Sequence, residues 1–125
     1  MQLETATTEF SIIEGNILFL KFKDNDIEID LEEAKLHQQI AEKLTNSKKM
    51  LVLVDARDSM HMLTKEASEF IAAVDVKIAE AIVVKELHQR LLATFYLKFV
   101  QVKSKHPIKV FTDIEKAKSW LISLQ

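Results

Sequence analysis

Polar side chains suited to binding follow the apolar run Met50–Val54. Asp55, Arg57 and Asp58 come directly after this run, and Thr64 stands six residues beyond Asp58. Ligands of open α/β sheets bind beyond the carboxyl ends of the strands, where such a loop would lie. We therefore predict a binding site of these four residues, in which the charged groups form an ion-pair network or present a charged rim to a partner. The alternative is that they only solvate the loop and cap the next helix.

Two hydroxyl groups in the same segment are candidate phosphoacceptors. Thr64 stands at the predicted start of a helix, where the helix dipole and the free N–H groups favour a phosphate. The same position suits an N-cap threonine, whose hydroxyl oxygen accepts a hydrogen bond from the first turn. Ser59 is the second candidate. The sequence leaves phosphorylation and capping open as alternatives.

The motifs of other catalytic and metal chemistries are missing from this chain. It has no cysteine and a single glycine, which excludes disulfides, thiolate metal sites, P-loops and dinucleotide-binding loops. Its four histidines are His37, His61, His88 and His106, and no two of them have the spacing of paired metal ligands on a helix. Neither a nucleophile elbow nor a His-Glu-x-x-His motif is present. We therefore expect a protein without a cofactor or metal, and not an enzyme.

The length and composition are typical of one globular domain spanning residues 1–125. The chain is 48% hydrophobic and 29% charged, and its net charge is −2. That charge argues against a nucleic-acid partner, which would call for a basic surface. No apolar run approaches the roughly 18 residues of a membrane span, and the N-terminus lacks a secretion signal. We therefore expect no integral membrane segment and a cytoplasmic location.

Periodicity and turn residues predict an α/β fold with a mixed sheet. The pair Gly15–Asn16 suits the turn of an N-terminal antiparallel hairpin, and two continuous apolar segments are typical of strands covered on both faces. The predicted strands are 9–14, 17–22, 50–54, 79–85 and 108–111. The four predicted helices begin at Asp30, at Thr64, at about Leu87 and at a capping box formed by Thr112 and Glu115. The resulting order is ββαβαβαβα.

The predicted helix 87–102 is apolar around more than half of its circumference. Its apolar arc spans roughly 200°, about twice what packing on one sheet requires. Neighbouring helices of the same chain, a second protomer in a homodimer, or an apolar ligand would each cover it. His88 and Arg90 lie on this helix, where they would be polar anchors for a lipid-like ligand. For His88 the alternative is an ordinary, partly buried histidine.

Two stretches of sequence, together with this order of elements, resemble the SpoIIAA-like group of the STAS fold, specifically the small bacterial STAS/SEC14-type domains. The first is Leu51-Val52-Leu53-Val54-Asp55-Ala56-Arg57-Asp58, and the second runs from Ala81-Ile82-Val83-Val84 to Trp120 and Leu121. The resemblance covers roughly residues 50 to 124 and implies a single SpoIIAA-like domain. Family members that act as anti-sigma-factor antagonists switch partners when a serine after the third-strand loop is phosphorylated, and other relatives bind lipids or nucleotides. The corresponding turn here reads Asp58-Ser59-Met60-His61, without the glycine of those antagonists.

Two functions follow as expectations. The first is a non-catalytic interaction or regulatory module, with a protein partner at the loop after residue 54 and a homodimer through the helix 87–102. The alternative is a small carrier that binds an apolar or anionic, lipid-like ligand beside that helix.

Overall fold

The fold is an α/β arrangement, seen here in a computed structural model that describes residues 3–59, 61–74, 76–85, 91 and 106–125. Its strands are β1 Leu3–Glu4, β2 Thr8–Ile13, β3 Ile17–Phe22, β4 Met50–Asp55, β5 Lys77–Val83 and β6 Ile108–Phe111. Its helices are α1 Leu31–Thr45, α2 Lys65–Ala73 and α3 Ile114–Ile122.

All six strands form one mixed sheet in the order β1-β2-β3-β4-β5-β6. The first three strands are antiparallel, and β3 to β6 are parallel. Gly15 and Asn16 turn the chain between β2 and β3 with φ angles of 87° and 61°, a conformation that glycine and asparagine adopt most readily. The predicted N-terminal hairpin is therefore confirmed.

The two aliphatic segments in the middle of the chain become the central strands β4 and β5. They pair in parallel, with β3 on one side and β6 on the other. Side chains on both faces are buried, including Val52 and Leu53 of β4 and Ala81 and Ile82 of β5. This burial on both faces explains why neither strand shows the alternation of a half-exposed strand.

Helices cover both faces of the sheet. The helices α1 and α2 pack on one face, where Ala41 and Ala72 contact a core that includes Val52. The helix α3 packs on the opposite face, where Leu121 contacts a core that includes Leu53. The helices α1 and α2 lie on the same face because each connects two neighbouring parallel strands, β3 to β4 and β4 to β5, by a right-handed crossover in the same direction along the sheet.

The order of elements corrects the prediction in two ways. The described residues give βββαβαββα with three helices, whereas ββαβαβαβα with four helices was expected. The strand β1 was missed because two residues, Leu3–Glu4, are too short to show a periodic pattern. The predicted helix 87–102 lies outside the described residues, apart from Leu91.

Smaller corrections concern the ends of elements. The N-cap of α3 is Asp113 rather than Thr112, and its Oδ1 accepts hydrogen bonds from the N–H groups of Glu115 at 2.8 Å and Lys116 at 3.3 Å. The strand β5 begins at Lys77, two residues earlier than predicted, because backbone pairing with Met50 does not depend on an apolar side chain.

Candidate functional site

A cavity of about 120 Å³ lies between the sheet and the helices α1 and α2. Its floor consists of aliphatic side chains from β3, β4 and β5, namely Leu18, Leu20, Val52, Val54 and Ile82. Its walls include Ala34 and Ala41 of α1 and Phe70 and Ile71 of α2. The small side chains of the two alanines leave space that a larger residue on α1 would fill.

The size of this cavity suits a small molecule. Engineered apolar cavities of about 150 Å³ bind benzene and otherwise stay empty of water. The cavity here is slightly smaller and has a mainly apolar lining with a few polar groups, which is the usual character of small-molecule sites. Among those polar groups are His37, His61 and the pair Lys77 and Glu80.

The first polar group, His37, belongs to a buried cluster at the start of α1. Its Nε2 lies 3.1 Å from Oε2 of Glu33 and 3.1 Å from Oγ1 of Thr7. The Thr7 hydroxyl donates to the same Glu33 oxygen at 2.6 Å, and the Thr7 N–H donates to it at 3.2 Å. These bonds tie the segment between β1 and β2 to α1.

The cluster changes the acidity of both titratable members. Burial raises the pKa of Glu33, but hydrogen bonds from Thr5, Thr7 and His37 outweigh it, so that the pKa lies below its usual value. Burial also lowers the pKa of His37, although the Glu33 carboxylate works in the opposite direction. Near neutral pH the pair therefore consists of an ionised carboxylate and a neutral imidazole.

The second polar group, His61, holds the loop before α1. Its Nδ1 lies 2.7 Å from the carbonyl oxygen of Ile27, and its Nε2 lies 3.0 Å from that of Lys23. The ring also packs edge-on against Phe22, with 5.2 Å between the centroids. Both nitrogens thus face backbone acceptors.

The third polar group is an ion pair on β5. Nζ of Lys77 donates to Oε1 of Glu80 at 2.8 Å, and Nε2 of His106 lies 3.4 Å from the same oxygen. The Glu80 side chain is only 4% exposed. Burial alone would raise its pKa, but the positive charge of Lys77 and the hydrogen bonds from both neighbours lower it to about 2.

The predicted binding residues lie at the end of β4 and in the loop after it, and two of them form a close pair. The Arg57 guanidinium donates from Nε to Oδ1 and from NH2 to Oδ2 of Asp55, each at 2.9 Å. Burial raises the Asp55 pKa, but these hydrogen bonds and the Arg57 charge lower it overall. The Asp55 side chain is buried, whereas that of Arg57 is 41% exposed. Asp58 forms a longer ion pair with Nζ of the exposed Lys21 at 4.0 Å, and its charge also contributes to raising the pKa of Arg57.

The two candidate phosphoacceptors have local structural partners. Oγ of Ser59 donates to the carbonyl oxygen of Asn25 at 2.8 Å. Oγ1 of Thr64 accepts from the N–H of Ala67 at 3.1 Å, as the N-cap of α2. The capping interpretation of Thr64 is therefore confirmed. Its phosphorylation and that of Ser59 stay predictions, while His88 and Arg90 lie outside the described residues.

Sequence reasoning missed the polar groups of the cavity. It considered His37 and His61 only as metal ligands, and it assigned no functional role to Glu33. The available signals were the i, i+4 spacing of Glu33 and His37, which places both on one side of a helix, and the acid Glu80 inside an apolar strand.

Comparison with known proteins places the chain in a family. One family model matches residues 10–125, which is nearly the whole chain. The chain belongs to this family, described as Domain of unknown function (DUF7793). No curated protein matches it in sequence.

A solved structure supports the expected fold. The chain is similar to the crystal structure of an uncharacterised protein of the DUF3478 family from Shewanella loihica PV-4, which is described as having a SpoIIAA-like fold. The TM-score is 0.65, with 16% sequence identity over 97% of this chain and 98% of that chain. This likeness concerns the fold alone, and membership of the STAS family stays a prediction. Within the residues described, no helix is long and apolar enough to cross a membrane.

Proposed function

We propose that this domain is a non-catalytic binding module that takes a small, mainly apolar molecule into the cavity between the sheet, α1 and α2. The observation that carries this proposal is the cavity itself, with about 120 Å³ of space and an aliphatic floor. By comparison with cavities that hold benzene, it fits a molecule of about six or seven non-hydrogen atoms. A longer, lipid-like chain would have to extend beyond the cavity.

The proposal involves other residues than those expected to bind a ligand. A carrier site beside the helix 87–102, with His88 and Arg90 as anchors, stays a separate prediction outside the described residues. In the cavity, His37 and His61 would be the polar neighbours of the ligand. A binding role without catalysis is supported by the ion pair between Glu80 and Lys77, because this pairing occupies an acidic side chain of the cavity wall.

A second candidate function is the interaction module with a protein partner. Arg57 favours it, because Asp55 holds this partly exposed guanidinium in one orientation beside the exposed Asp58. A fixed guanidinium loses little entropy when it binds a carboxylate of another protein. A homodimer through the helix 87–102, a phosphoswitch at Thr64 or Ser59 and a cytoplasmic location belong to this proposal. Sedimentation at micromolar concentration tests the dimer, and intact mass before and after phosphatase treatment of natively expressed protein tests the phosphoswitch.

The ligand-binding proposal is tested by titrating the chain with toluene and recording amide NMR spectra. We expect saturable shifts at cavity residues such as Ala34, Leu63 and Ile71. The substitution Ala41→Phe fills the cavity, so it should weaken toluene binding more than tenfold. Ala73→Phe is the matched control, because Ala73 lies exposed near the end of α2 and should leave binding unchanged.

Folding of the variants is checked by thermal melting, and Ala41→Leu replaces the larger substitution if Ala41→Phe does not fold. The proposal is wrong if toluene causes no saturable shifts at the cavity. It is also wrong if the folded Ala41 variants bind toluene as tightly as the wild type does.

A further inference from the structure

The orientation of His37 is set by oxygen atoms on one side of its ring. Its Nε2 lies within 3.1 to 3.3 Å of three side-chain oxygens, those of Glu33, Thr7 and Thr5. On the same ring, an edge-on contact with Phe10 places the two centroids 5.2 Å apart. These contacts fix the imidazole at the cavity wall, where the ring contributes to the lining.

The Glu33 carboxylate decides which nitrogen carries the proton. An ionised carboxylate only accepts hydrogen bonds, so the nitrogen that faces it must be the N–H donor. In the neutral ring Nε2 is then protonated, and Nδ1 keeps a lone pair. The positive charge of Lys77 acts in the same direction as burial, because it also lowers the pKa of His37 and so favours the neutral ring.

The remaining nitrogen is an acceptor that a small molecule can reach. Among the described residues, no hydrogen-bond partner contacts Nδ1 of His37, in contrast to both nitrogens of His61. No fully buried polar side-chain atom in the described part of the chain lacks a partner. Nδ1 is therefore accessible to a molecule of the size of water.

We propose that Nδ1 of His37 accepts a hydrogen bond from the ligand, so that the cavity selects small uncharged ring compounds with one O–H or N–H donor. This inference rests on the proposed function and names the class of ligand. A carboxylate is disfavoured because it would bring a negative charge close to the lone pair of Nδ1 and to the Glu33 carboxylate, whose Oε2 lies 3.1 Å from Nε2 of the same ring. An apolar ring of the same size can fill the cavity, but it leaves the lone pair of Nδ1 without a hydrogen bond and should bind more weakly.

The test uses phenol, toluene and benzoate as probes, with dissociation constants from NMR titration of the full chain. Phenol and toluene have nearly the same shape and differ in the donor. In His37→Leu, we expect the affinity of phenol relative to toluene to fall about fivefold to tenfold, which is the usual effect of one lost hydrogen bond. The matched control Gln39→Leu also replaces a polar side chain of α1 with leucine, but at an exposed position outside the cavity lining, so this ratio should not change.

A second measurement needs no substitution. In the wild type, phenol should shift the ¹⁵N resonance of His37 Nδ1 in the direction of an accepted hydrogen bond, whereas toluene should not. The inference is overturned if His37→Leu leaves the affinity of phenol relative to toluene unchanged. It is also overturned if phenol does not shift the Nδ1 resonance, or if benzoate binds more tightly than phenol. If neither phenol nor toluene binds at the cavity, the proposed function itself fails.

Discussion

Removal of the Lys77 charge should strongly destabilise the fold at neutral pH. The Glu80 carboxylate beside it is 4% exposed, and it depends on Lys77 and His106 for compensation. Lys77→Met keeps the aliphatic stem but leaves a buried negative charge without its closest partner. Breaking a buried ion pair from one side costs about 3 to 5 kcal/mol.

The Glu80 pKa gives an independent measure of the same effect. Its fall from 4.5 to about 2 corresponds to about 3 kcal/mol of stabilisation of the ionised form. Because the pKa is lower in the folded state, this stabilisation is fully present above pH 4.5 and is lost progressively as the pH falls to about 2. In Lys77→Met the effect of burial dominates, so the Glu80 pKa should rise above its usual value, and the stability of this variant should increase as the pH falls through that raised pKa.

The assay is urea unfolding followed by circular dichroism at several pH values. Lys118→Met is the matched control, since Lys118 forms a similar i, i+3 pair with Glu115, whose side chain is 79% exposed. That pair should contribute less than about 1 kcal/mol. Glu80→Gln removes the charge, so adding it to Lys77→Met should recover part of the lost stability.

The comparison of wild type with Glu80→Gln isolates Glu80, because Glu33 and Asp55 also have lowered pKa values. The reasoning is refuted if Lys77→Met and Lys118→Met have the same free energy of unfolding at pH 7. It is also refuted if wild type and Glu80→Gln lose stability in parallel between pH 4.5 and pH 2.

Three further predictions concern the turn and the loop after β4. Thr64→Ala should lower the free energy of unfolding in urea by about 1 kcal/mol through loss of the N-cap, and Thr64→Ser should restore it. Arg57→Met should cost about 2 kcal/mol at pH 7, because Asp55 stays buried and charged, and the cost should diminish as the pH falls through and below 3.8 in the same assay. Gly15→Ala should lower the free energy of unfolding by about 1 kcal/mol, measured in the same urea assay, because φ is +87° and the new Cβ would lie 3.3 Å from Cγ1 of Ile122.

Predictions that depend on neighbouring residues in the sequence agree best with the structure. The Gly15–Asn16 turn and the Asp30 cap of α1 were expected, and Oδ1 of Asp30 accepts from the N–H of Glu33 at 2.9 Å. Such features involve residues only a few positions apart, so the local pattern already contains both partners. The cap of α3 was displaced by one residue because Thr112 and Asp113 are both good N-cap residues.

The candidate site was harder to predict because its parts are distant in the chain. The bonds between Thr7 and Glu33 join residues 26 positions apart, and so does the contact between Glu80 and His106. The pair of Asp55 and Arg57 is local, and its residues were named in advance. Only the structure shows that the Asp55 carboxylate is buried and paired with Arg57, two residues further along the chain.

The sequence by itself determined the α/β class, the hairpin and the two central strands, because aliphatic runs and turn residues express preferences of the local chain. Only the tertiary structure decided where the open space lies and which polar groups border it. A cavity exists where side chains of distant elements fail to fill a shared volume, and the protonation of His37 depends on a carboxylate and burial that folding supplies. Neither property belongs to any single segment of the chain.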